Sequence, residues 1–328
     1  MTGAAAEERV TRGAEVLDRI RAQVGEVIVG QEALIDRLLL GLLAGGHLLL
    51  EGVPGLAKSL ACETLAKTID LNYRRIQFTP DLLPADIVGT PIFQPSTGRF
   101  EVKKGPVFTN VLLADEVNRA PAKVHSALLE AMQERAVTIG EETFKLEEPF
   151  VVLATQNPIE QEGTYPLPEA ELDRFFLKVI LDYPNREEES EIVRRMARTA
   201  PLAEPEVVCS KDELLAVRRL VDDVYIDERL VGYVLDIVRA TRDPSVIGLT
   251  ELAEAVRFGG SPRASIALVL AARTRALMLG RAYATPSDGK LVAGDVLRHR
   301  ILLSYDAQAD GVEADDVVTR VLDRVEVP

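Results

Sequence analysis

The sequence predicts an α/β fold in which a parallel sheet is covered on both faces, followed by a mostly helical second domain. Short, continuously apolar segments of strand length alternate with helical stretches in the first half of the chain, which is typical of a parallel sheet between helices. After residue 184 the strand signal stops, while helical periodicity continues between prolines. The 328 residues are enough for two domains. We therefore predict a first domain over residues 1–184 and an all-α second domain over residues 185–328.

Five strands and two preceding helices are predicted in the first domain. Apolar residues at near-helical spacing predict helices over 4–25 and 31–44. The predicted strands are 47–50, 73–78, 111–114, 150–154 and 175–180. Two insertions interrupt the alternation: residues 79–86 contain two prolines, and residues 137–149 have the pattern of a β-hairpin. In the second domain, helices are predicted over 186–199, 210–222, 227–241, 263–280 and 312–324.

Composition and charge exclude several classes of protein. The chain is 47% hydrophobic and 27% charged, which is ordinary for a globular protein and excludes disordered and fibrous classes. Its 52 acidic and 38 basic residues give a net charge of −14, which disfavours a broad nucleic-acid-binding surface. Cys62 and Cys209 are too few for a disulfide framework or a four-cysteine zinc site, which fits a reducing compartment. Since no apolar run reaches the roughly 20 residues of a membrane span and the N-terminus is polar, we expect a cytoplasmic protein.

A glycine-containing loop follows the first strand and leads into a helix. The loop and helix start are Gly52, Val53, Pro54, Gly55, Leu56, Ala57, Lys58, Ser59 and Leu60. In such a strand–loop–helix arrangement, backbone N–H groups hold nucleotide phosphates, the lysine reaches the β and γ oxygens, and the serine binds Mg²⁺. The common pattern has glycine where this chain has Ala57. Alanine keeps its N–H, so the phosphate site survives if the backbone dihedrals there are allowed.

Polar residues follow the third and fourth strands. We expect Asp115 to hold Mg²⁺ and Glu116 to orient or deprotonate the water that attacks the γ-phosphate of ATP. The alternative for this pair is a strand end that faces water. Asn157 is expected to hold the water or the γ-phosphate through its amide, the alternative being a turn residue before Pro158.

These three features in series resemble an ATPase of the AAA+ superfamily, and their details resemble its MoxR family. The loop GVPGLAKS (52–59) has that family's alanine before the lysine. The stretches ADEVNRAPAKVHSALLEAMQERAVTIG (114–140) and ATQNPIEQEGTYPLPEAELDRFF (154–176) are longer and more specific matches. The resemblance covers nearly the whole chain.

The resemblance implies a P-loop αβα domain, with the five strands in the order 5-1-4-3-2, β-hairpin and helical inserts, and a helical lid. It also implies ATP and Mg²⁺ as ligands, ATP hydrolysis, and a homo-oligomeric ring, usually a hexamer, with sites between neighbouring subunits. The expected function is chaperone-like remodelling or activation of protein clients, often with a partner that contains a von Willebrand A domain.

Two arginines receive roles from the resemblance. It makes Arg174 the arginine finger that reaches the γ-phosphate on the next subunit, where a guanidinium neutralises transition-state charge. The alternative is a surface arginine that pairs with Asp173 or Glu171. Arg263 is in the first turn of a predicted helix, where a cation opposes the helix dipole, and by resemblance it is the sensor-2 arginine. Whether it serves its own or the neighbour's nucleotide stays open.

The sequence is compatible with two different roles for several further residues. Gln77 could restrain Glu116 until a client binds, or it is a solvated strand-end glutamine. Asn118 and Arg119 are equally compatible with a catalytic role and with a capping turn. Val29 and Gly30 are predicted to contact adenine.

The three histidines, His47, His125 and His299, have no metal-ligand spacing, so no zinc site is predicted, and His47 is expected to be a packed imidazole.

Two functions of other classes compete with a client-remodelling ATPase. A nucleic-acid-stimulated AAA+ motor is disfavoured by the acidic charge balance and by the lack of a basic strand with aromatic residues. A nucleotide-gated binding module with negligible turnover is disfavoured by Asp115, Glu116 and Arg174, because a pure binder needs neither an activated water nor an arginine finger.

Overall fold

The computed structural model describes residues 3–96, 98–158, 163–199 and 204–328. Residues 159–162, part of the second long stretch quoted above, lie outside the described residues. Contacts divide the chain into two compact units. The core unit comprises residues 19–167 and 179–214, and the lid unit comprises residues 1–18, 168–178 and 215–328. Each of these units contains more than one segment of the chain, whereas the predicted boundary near residues 182–186 divides the chain at a single point. That boundary stays a prediction.

The strands and the α-helices of the described residues are numbered separately, each in chain order. The strands are β1 (Leu48–Glu51), β2 (Tyr73–Gln77), β3 (Gly89–Gln94), β4 (Arg99–Lys104), β5 (Val111–Asp115), β6 (Ala136–Ile139), β7 (Glu142–Lys145), β8 (Val151–Gln156), β9 (Leu177–Ile180), β10 (Val256–Phe258) and β11 (Leu302–Leu303). The helices are α1 (Gly3–Val27), α2 (Glu32–Ala44), α3 (Lys58–Thr68), α4 (Pro84–Val88), α5 (Ala122–Glu134), α6 (Glu169–Leu172), α7 (Arg186–Met196), α8 (Lys211–Arg219), α9 (Glu228–Arg242), α10 (Thr250–Ala253), α11 (Pro262–Met278), α12 (Pro286–Leu297), α13 (Tyr305–Ala309) and α14 (Ala314–Arg324).

A five-stranded sheet carries the predicted strands in the order β2-β5-β8-β1-β9. When only these five strands are numbered 1 to 5 along the chain, the order starting from β9 is 5-1-4-3-2. The predicted strand order is therefore confirmed. The pairs β1–β8, β5–β8 and β2–β5 are parallel. The apolar residues of β1, β5 and β8 are buried, as expected for parallel strands covered on both faces, and the strands end in the polar residues Glu51, Asp115 and Gln156.

Two antiparallel hairpins extend the core unit. The predicted hairpin is present as β6 and β7, in which Thr138 faces Thr143. A second hairpin, β3 and β4, follows α4 and was missed from the sequence. Its base requires glycine, because Gly89 has φ 106° and a Cβ there would lie 2.3 Å from the carbonyl oxygen of Lys103. The signal that could have revealed it is the β-favouring segment before residues 95–98 and the alternating residues after them.

The described lid unit is mostly helical, which confirms the predicted character of this region. The sequence prediction missed α12, which begins with a capping box between Thr285 and Asp288 and contains Gly289 and Gly294. The two glycines interrupt its helical pattern, so periodicity alone did not identify it. A short antiparallel pairing of β10 with β11 was also not predicted and adds a small ladder to the expected all-α lid.

The apolar run over residues 38–50 divides between the end of α2 and β1, as the sequence suggested. Among the described residues, none of the helices combines the length and apolar character needed to cross a membrane. Cys62 and Cys209 are both buried free thiols.

His47 is a packed imidazole that joins two elements next to the sheet. Its Nδ1 accepts a hydrogen bond from the Val152 N–H at 3.0 Å, so its Nε2 donates to the Met132 carbonyl, also at 3.0 Å. Both ring nitrogens form hydrogen bonds when the ring is neutral. Because the side chain is also buried, desolvation lowers the pKa of His47 to about 4. The neutral ring therefore contributes to the stability of the core unit.

We expect this histidine to make stability fall on acidification. The pKa of His47 rises from about 4 in the folded chain to 6.5 in the unfolded chain. Between these values the unfolded state binds more protons, so lowering the pH through this window costs about 3 kcal/mol. Urea unfolding from pH 7 to pH 4 should show this loss in the wild type, while His47→Gln, which retains a donor and an acceptor, should lack it. Equal pH slopes for the two proteins would contradict the assignment.

Candidate nucleotide site

The predicted phosphate loop connects β1 to the start of α3. Ala57, the residue before the helix, has φ 55° and ψ 20°, in the left-handed region. For an alanine this conformation costs roughly 1–2 kcal/mol, which explains why glycine is common at this position. The backbone region is allowed, so the condition set for Ala57 from the sequence is met.

A cavity of about 560 Å³ opens beside this loop within the core unit. One part is lined by the loop and by polar groups from the strand ends, and another part by apolar side chains. The first set is Pro54, Gly55, Leu56, Ala57, Lys58, Ser59, Leu60, Arg75, Asp115, Glu116, Thr155 and Asn157, and the second set includes Val27, Ile28, Val29, Pro184, Ile192 and Met196. A polar phosphate end and an apolar base end are the two surfaces that a nucleotide requires.

Lys58 is placed at the phosphate end of the cavity. Its Nζ donates to the carbonyl oxygen of Gly52 at 2.6 Å, which holds the side chain over the loop. Burial lowers the pKa of Lys58, and the nearby carboxylates of Asp115 and Glu116 act in the opposite direction. A lysine held in a partly desolvated loop is suited to contact phosphate oxygens.

Asp115 is held by two side chains from neighbouring strands. The Thr155 hydroxyl donates to Asp115 Oδ1 at 2.5 Å, and Arg75 donates to Oδ2 from Nε at 3.0 Å and from Nη2 at 2.5 Å. Ser59 lines the same cavity. Carboxylate and hydroxyl oxygens are ligands that Mg²⁺ accepts, so these residues fit the metal, provided that Arg75 releases Oδ2.

Glu116 has a strained backbone and a restrained carboxylate. Its φ of 54° and ψ of 50° are left-handed, and its N–H donates to the Thr155 hydroxyl oxygen at 2.8 Å. Its Oε2 accepts from Gln77 Nε2 at 2.7 Å and from Arg119 Nη1 at 3.1 Å. The structure therefore contains the contact suggested for Gln77, and Arg119 contacts the same oxygen. Strain of this kind is common at functional sites.

The remaining predicted binding residues lie at or next to the cavity. Val29 lines its apolar part, and Asn157 lines its polar part and is buried. Gly30 instead lines an adjacent cavity of about 490 Å³. Gly52 holds Lys58 through its carbonyl, and Val53 is the next residue in the loop.

The two predicted arginines, Arg174 and Arg263, are exposed and belong to the lid unit. Asp173, next to Arg174, accepts a hydrogen bond from the Ser261 hydroxyl at 2.9 Å and lies 3.7 Å from Arg263 Nη1. Ser261 is the N-cap of α11, and Arg263 is in its first turn. The structure thus brings the segment of Arg174 together with that of Arg263.

Comparisons with known proteins agree with this geometry. A model described as an ATPase family associated with various cellular activities (AAA) matches residues 47–177, and an AAA lid domain matches residues 249–321. The chain is 32% identical to Protein MoxR of Paracoccus denitrificans, over 86% of this chain and 87% of that protein. A crystal structure of a protein from Cytophaga hutchinsonii, assigned as an ATPase, matches with a TM-score of 0.94 and 49% identity over 99% of this chain and 98% of that one. Chaperone MoxR1 of Mycobacterium tuberculosis is 51% identical over 312 residues, which are 95% of this chain and 82% of that protein.

The chain belongs to the MoxR family of AAA+ ATPases. It is therefore a nucleotide-binding protein and an ATP hydrolase, as the sequence predicted, and its AAA+ domain with a helical lid is confirmed. The roles given to individual residues of this MoxR-family chain stay predictions.

Sequence reasoning missed Arg75 and Thr155 as site residues. Arg75 and Gln77 are two residues apart on β2, so their side chains share one face of the strand, next to Asp115 and Glu116. In the parallel pairing of β5 with β8, Ala114 is opposite Ala154, so Thr155 follows directly after that pair. The alternation of side chains along β2 indicated that Arg75 lies on the same face as Gln77. The sequence did not specify the register of β2 against β5, which places Arg75 next to Asp115.

We expect two substitutions at Ala57 to act in opposite directions. Ala57→Gly removes the strain of the left-handed backbone and should stabilise the core unit by up to about 1 kcal/mol, with ATP bound as tightly or more tightly. Ala57→Val places a β-branched residue in that region and should weaken ATP binding by about tenfold or more. Thermal unfolding and equilibrium binding of a fluorescent ATP analogue measure both effects. Comparable affinities for the glycine and valine variants would show that the left-handed conformation is not needed.

We expect Glu116→Gln to separate binding from turnover. Glutamine keeps the size and can retain contacts to Gln77 and Arg119, but it cannot accept a proton from water, so kcat should fall by about 100-fold or more. The dissociation constant for ATP should stay within about threefold of the wild-type value. Steady-state phosphate release and equilibrium binding give the two numbers. Full hydrolysis by the variant would falsify the role of Glu116.

Proposed function

We propose that this ATPase works as a homo-oligomeric ring, usually of six subunits, that hydrolyses Mg²⁺-ATP to remodel or activate client proteins. The division of the predicted catalytic residues between the two units carries this proposal. Lys58, Asp115 and Glu116 line one cavity in the core unit, whereas Arg174 is an exposed side chain of the lid unit. An exposed arginine in an ATPase of this family is suited to act on the nucleotide of a neighbouring subunit, where it neutralises the charge of the transition state.

Ser59 and Asp115 would hold Mg²⁺ in this proposal. The metal, when bound, supplies positive charge that neutralises the phosphate oxygens. Lys58 binds the phosphates from the loop, and Asn157 orients the water or the γ-phosphate. Glu116 accepts the proton of the attacking water at its carboxylate, whose Oε2 contacts Gln77 and Arg119.

The segments proposed to contact clients are the insertion around residues 79–90 and the hairpin over residues 137–149, together with the hairpin of β3 and β4. Phe93 and Phe100 are 51% and 70% exposed, and their ring centroids are 5.4 Å apart. An exposed aromatic pair on a projecting hairpin is unusual for a surface without a partner and supports contact with apolar segments of a protein. The relative from Mycobacterium tuberculosis is named a chaperone, which agrees with a protein client. A von Willebrand A-domain partner, which follows from the family resemblance, and a cytoplasmic location, with which the two free thiols agree, complete the proposal.

We expect the ATPase rate per subunit to depend on protein concentration. With Mg²⁺ and saturating ATP, the specific rate should rise from near zero to a plateau as the ring assembles, because the site needs Arg174 of the neighbour. At plateau concentration, Arg174→Ala should lower kcat by about 100-fold or more and leave ATP binding nearly unchanged.

Light scattering at each concentration gives the assembly state and serves as the control. A specific rate that is constant and well above zero far below the assembly threshold would show that one chain hydrolyses ATP alone, and the ring proposal would be wrong. Stimulation of the ATPase by DNA that disappears at high salt would favour a nucleic-acid motor instead.

A further inference from the structure

Arg300 is a buried arginine whose guanidinium is almost wholly used on the segment that carries Arg174. The side chain is 3% exposed. Its Nε donates to Asp173 Oδ1 at 2.9 Å, and its Nη2 donates to the carbonyl oxygen of Phe175 at 2.5 Å. Its Nη1 donates to the carbonyl oxygen of Phe176 at 3.3 Å and also to that of Val296 in α12. Since its Nη2 also donates to the carbonyl oxygen of Asp173 at 3.4 Å, one guanidinium contacts the backbone on both sides of Arg174.

The two residues before Arg300 bind the same segment. Arg298 Nη1 donates to the carbonyl oxygen of Lys178 at 2.6 Å, and His299 Nε2 lies 3.1 Å from the carbonyl oxygen of Phe175. Burial lowers the pKa of His299 well below its usual value, so the ring is neutral and can donate from Nε2 while Nδ1 is unprotonated. Residues 298–300 therefore form a clamp of side chains on main-chain carbonyls within the lid unit.

Asp173 links this clamp to the start of α11. Its Oδ1 pairs with Arg300, while its Oδ2 accepts from the Ser261 hydroxyl at 2.9 Å and lies 3.7 Å from Arg263 Nη1. One carboxylate therefore contacts the clamp through one oxygen and the helix cap through the other. The backbone beside Arg174 and the first turn of α11 with Arg263 are connected through two side chains.

We infer that Arg300 is a positioning residue for the arginine finger, and that through Asp173 it connects Arg174 with the first turn of α11, which contains Arg263. This inference rests on the proposed function, because it assumes that Arg174 acts on a neighbouring subunit. A buried ion pair contributes little net stability compared with apolar residues of the same size, whereas its geometry is specific. The fixed fork of five guanidinium donors matches a main-chain turn in a way that a single ammonium does not.

Subunit mixing tests this role separately from folding. Arg300→Met should lower kcat by about tenfold or more while the dissociation constant for ATP stays within about twofold, because the subunit's own cavity is intact. Mixed with Glu116→Gln subunits, which keep the finger but cannot hydrolyse ATP, the Arg300→Met subunits should recover activity, because intact fingers now act on their sites. Mixed with Arg174→Ala subunits, they should recover none.

Matched variants separate positioning from stability. Arg281→Met removes another arginine of the lid unit, which pairs with the buried Asp288 at 2.6 Å. It should lower the melting temperature but leave the specific rate at assembly concentrations within about twofold. Arg300→Lys should keep the charge and restore only part of kcat. If Arg300→Met does not fold, Asp173→Asn provides the same test, since it weakens the clamp without changing the volume of the side chain.

The mixture of Arg174→Ala with Glu116→Gln subunits distinguishes a failure of the proposed function, in which Arg174 acts in trans, from a failure of the inference that Arg300 positions Arg174. If this mixture recovers activity and Arg300→Met with Glu116→Gln does not, Arg300 does not act through the finger and the inference is wrong. Unchanged kcat in both folded clamp variants, Arg300→Met and Asp173→Asn, also overturns it. If Arg174→Ala is not complemented, Arg174 does not act in trans, and both the proposed function and this inference fail.

Discussion

The hydroxyl of Thr155 connects the two acidic residues on which the nucleotide site depends. In the parallel register, Ala114 of β5 faces Ala154 of β8, so Asp115 and Thr155 follow at the same edge of the sheet. The hydroxyl donates to Asp115 Oδ1 and accepts from the Glu116 N–H. A single buried group therefore orients the predicted metal ligand and holds the left-handed backbone of the predicted base. If the strand pairing shifted by one residue, Thr155 would point to the other face of the sheet and both interactions would be lost.

Two residues of the site have a left-handed backbone conformation. Ala57 and Glu116 both have positive φ, one at the start of α3 and the other directly after β5. Each conformation is maintained by packed neighbours: the first by the adjoining helix and the Lys58–Gly52 contact, the second by Thr155. A strained residue persists only when the surrounding structure fixes it, and here the surrounding structure is the buried part of a parallel sheet. The apolar strands thus provide the rigid support that the site requires.

The sequence indicated which residues line the cavity better than it indicated their contacts. Lys58, Asp115 and Glu116 were recognisable because they directly follow apolar strands or a glycine-containing loop, where position along the chain is enough. Arg75 was not, because its pairing with Asp115 follows from the lateral register of β2 and β5, which no local pattern specifies. Arg300 was also missed, since several of its acceptors are main-chain carbonyls, one of them that of Phe175, 125 residues away, and a carbonyl has no sequence signature. The strand order came from the resemblance and not from periodicity. The hairpin of β3 and β4 was missed because its prolines and glycines disguise the alternation of its strands.

The side chains of Asp115 and Glu116 belong to one network of polar contacts. Asp115 is paired with Arg75, and Glu116 contacts Gln77 and Arg119 through Oε2, so both carboxylates have protein partners in this arrangement. Arg75 and Gln77 also contact each other, with Arg75 Nη2 donating to Gln77 Oε1 at 2.9 Å. Release of Asp115 by Arg75 therefore disturbs the amide that holds Glu116. The contacts of Asp115 and of Glu116 are therefore linked through the pair formed by Arg75 and Gln77.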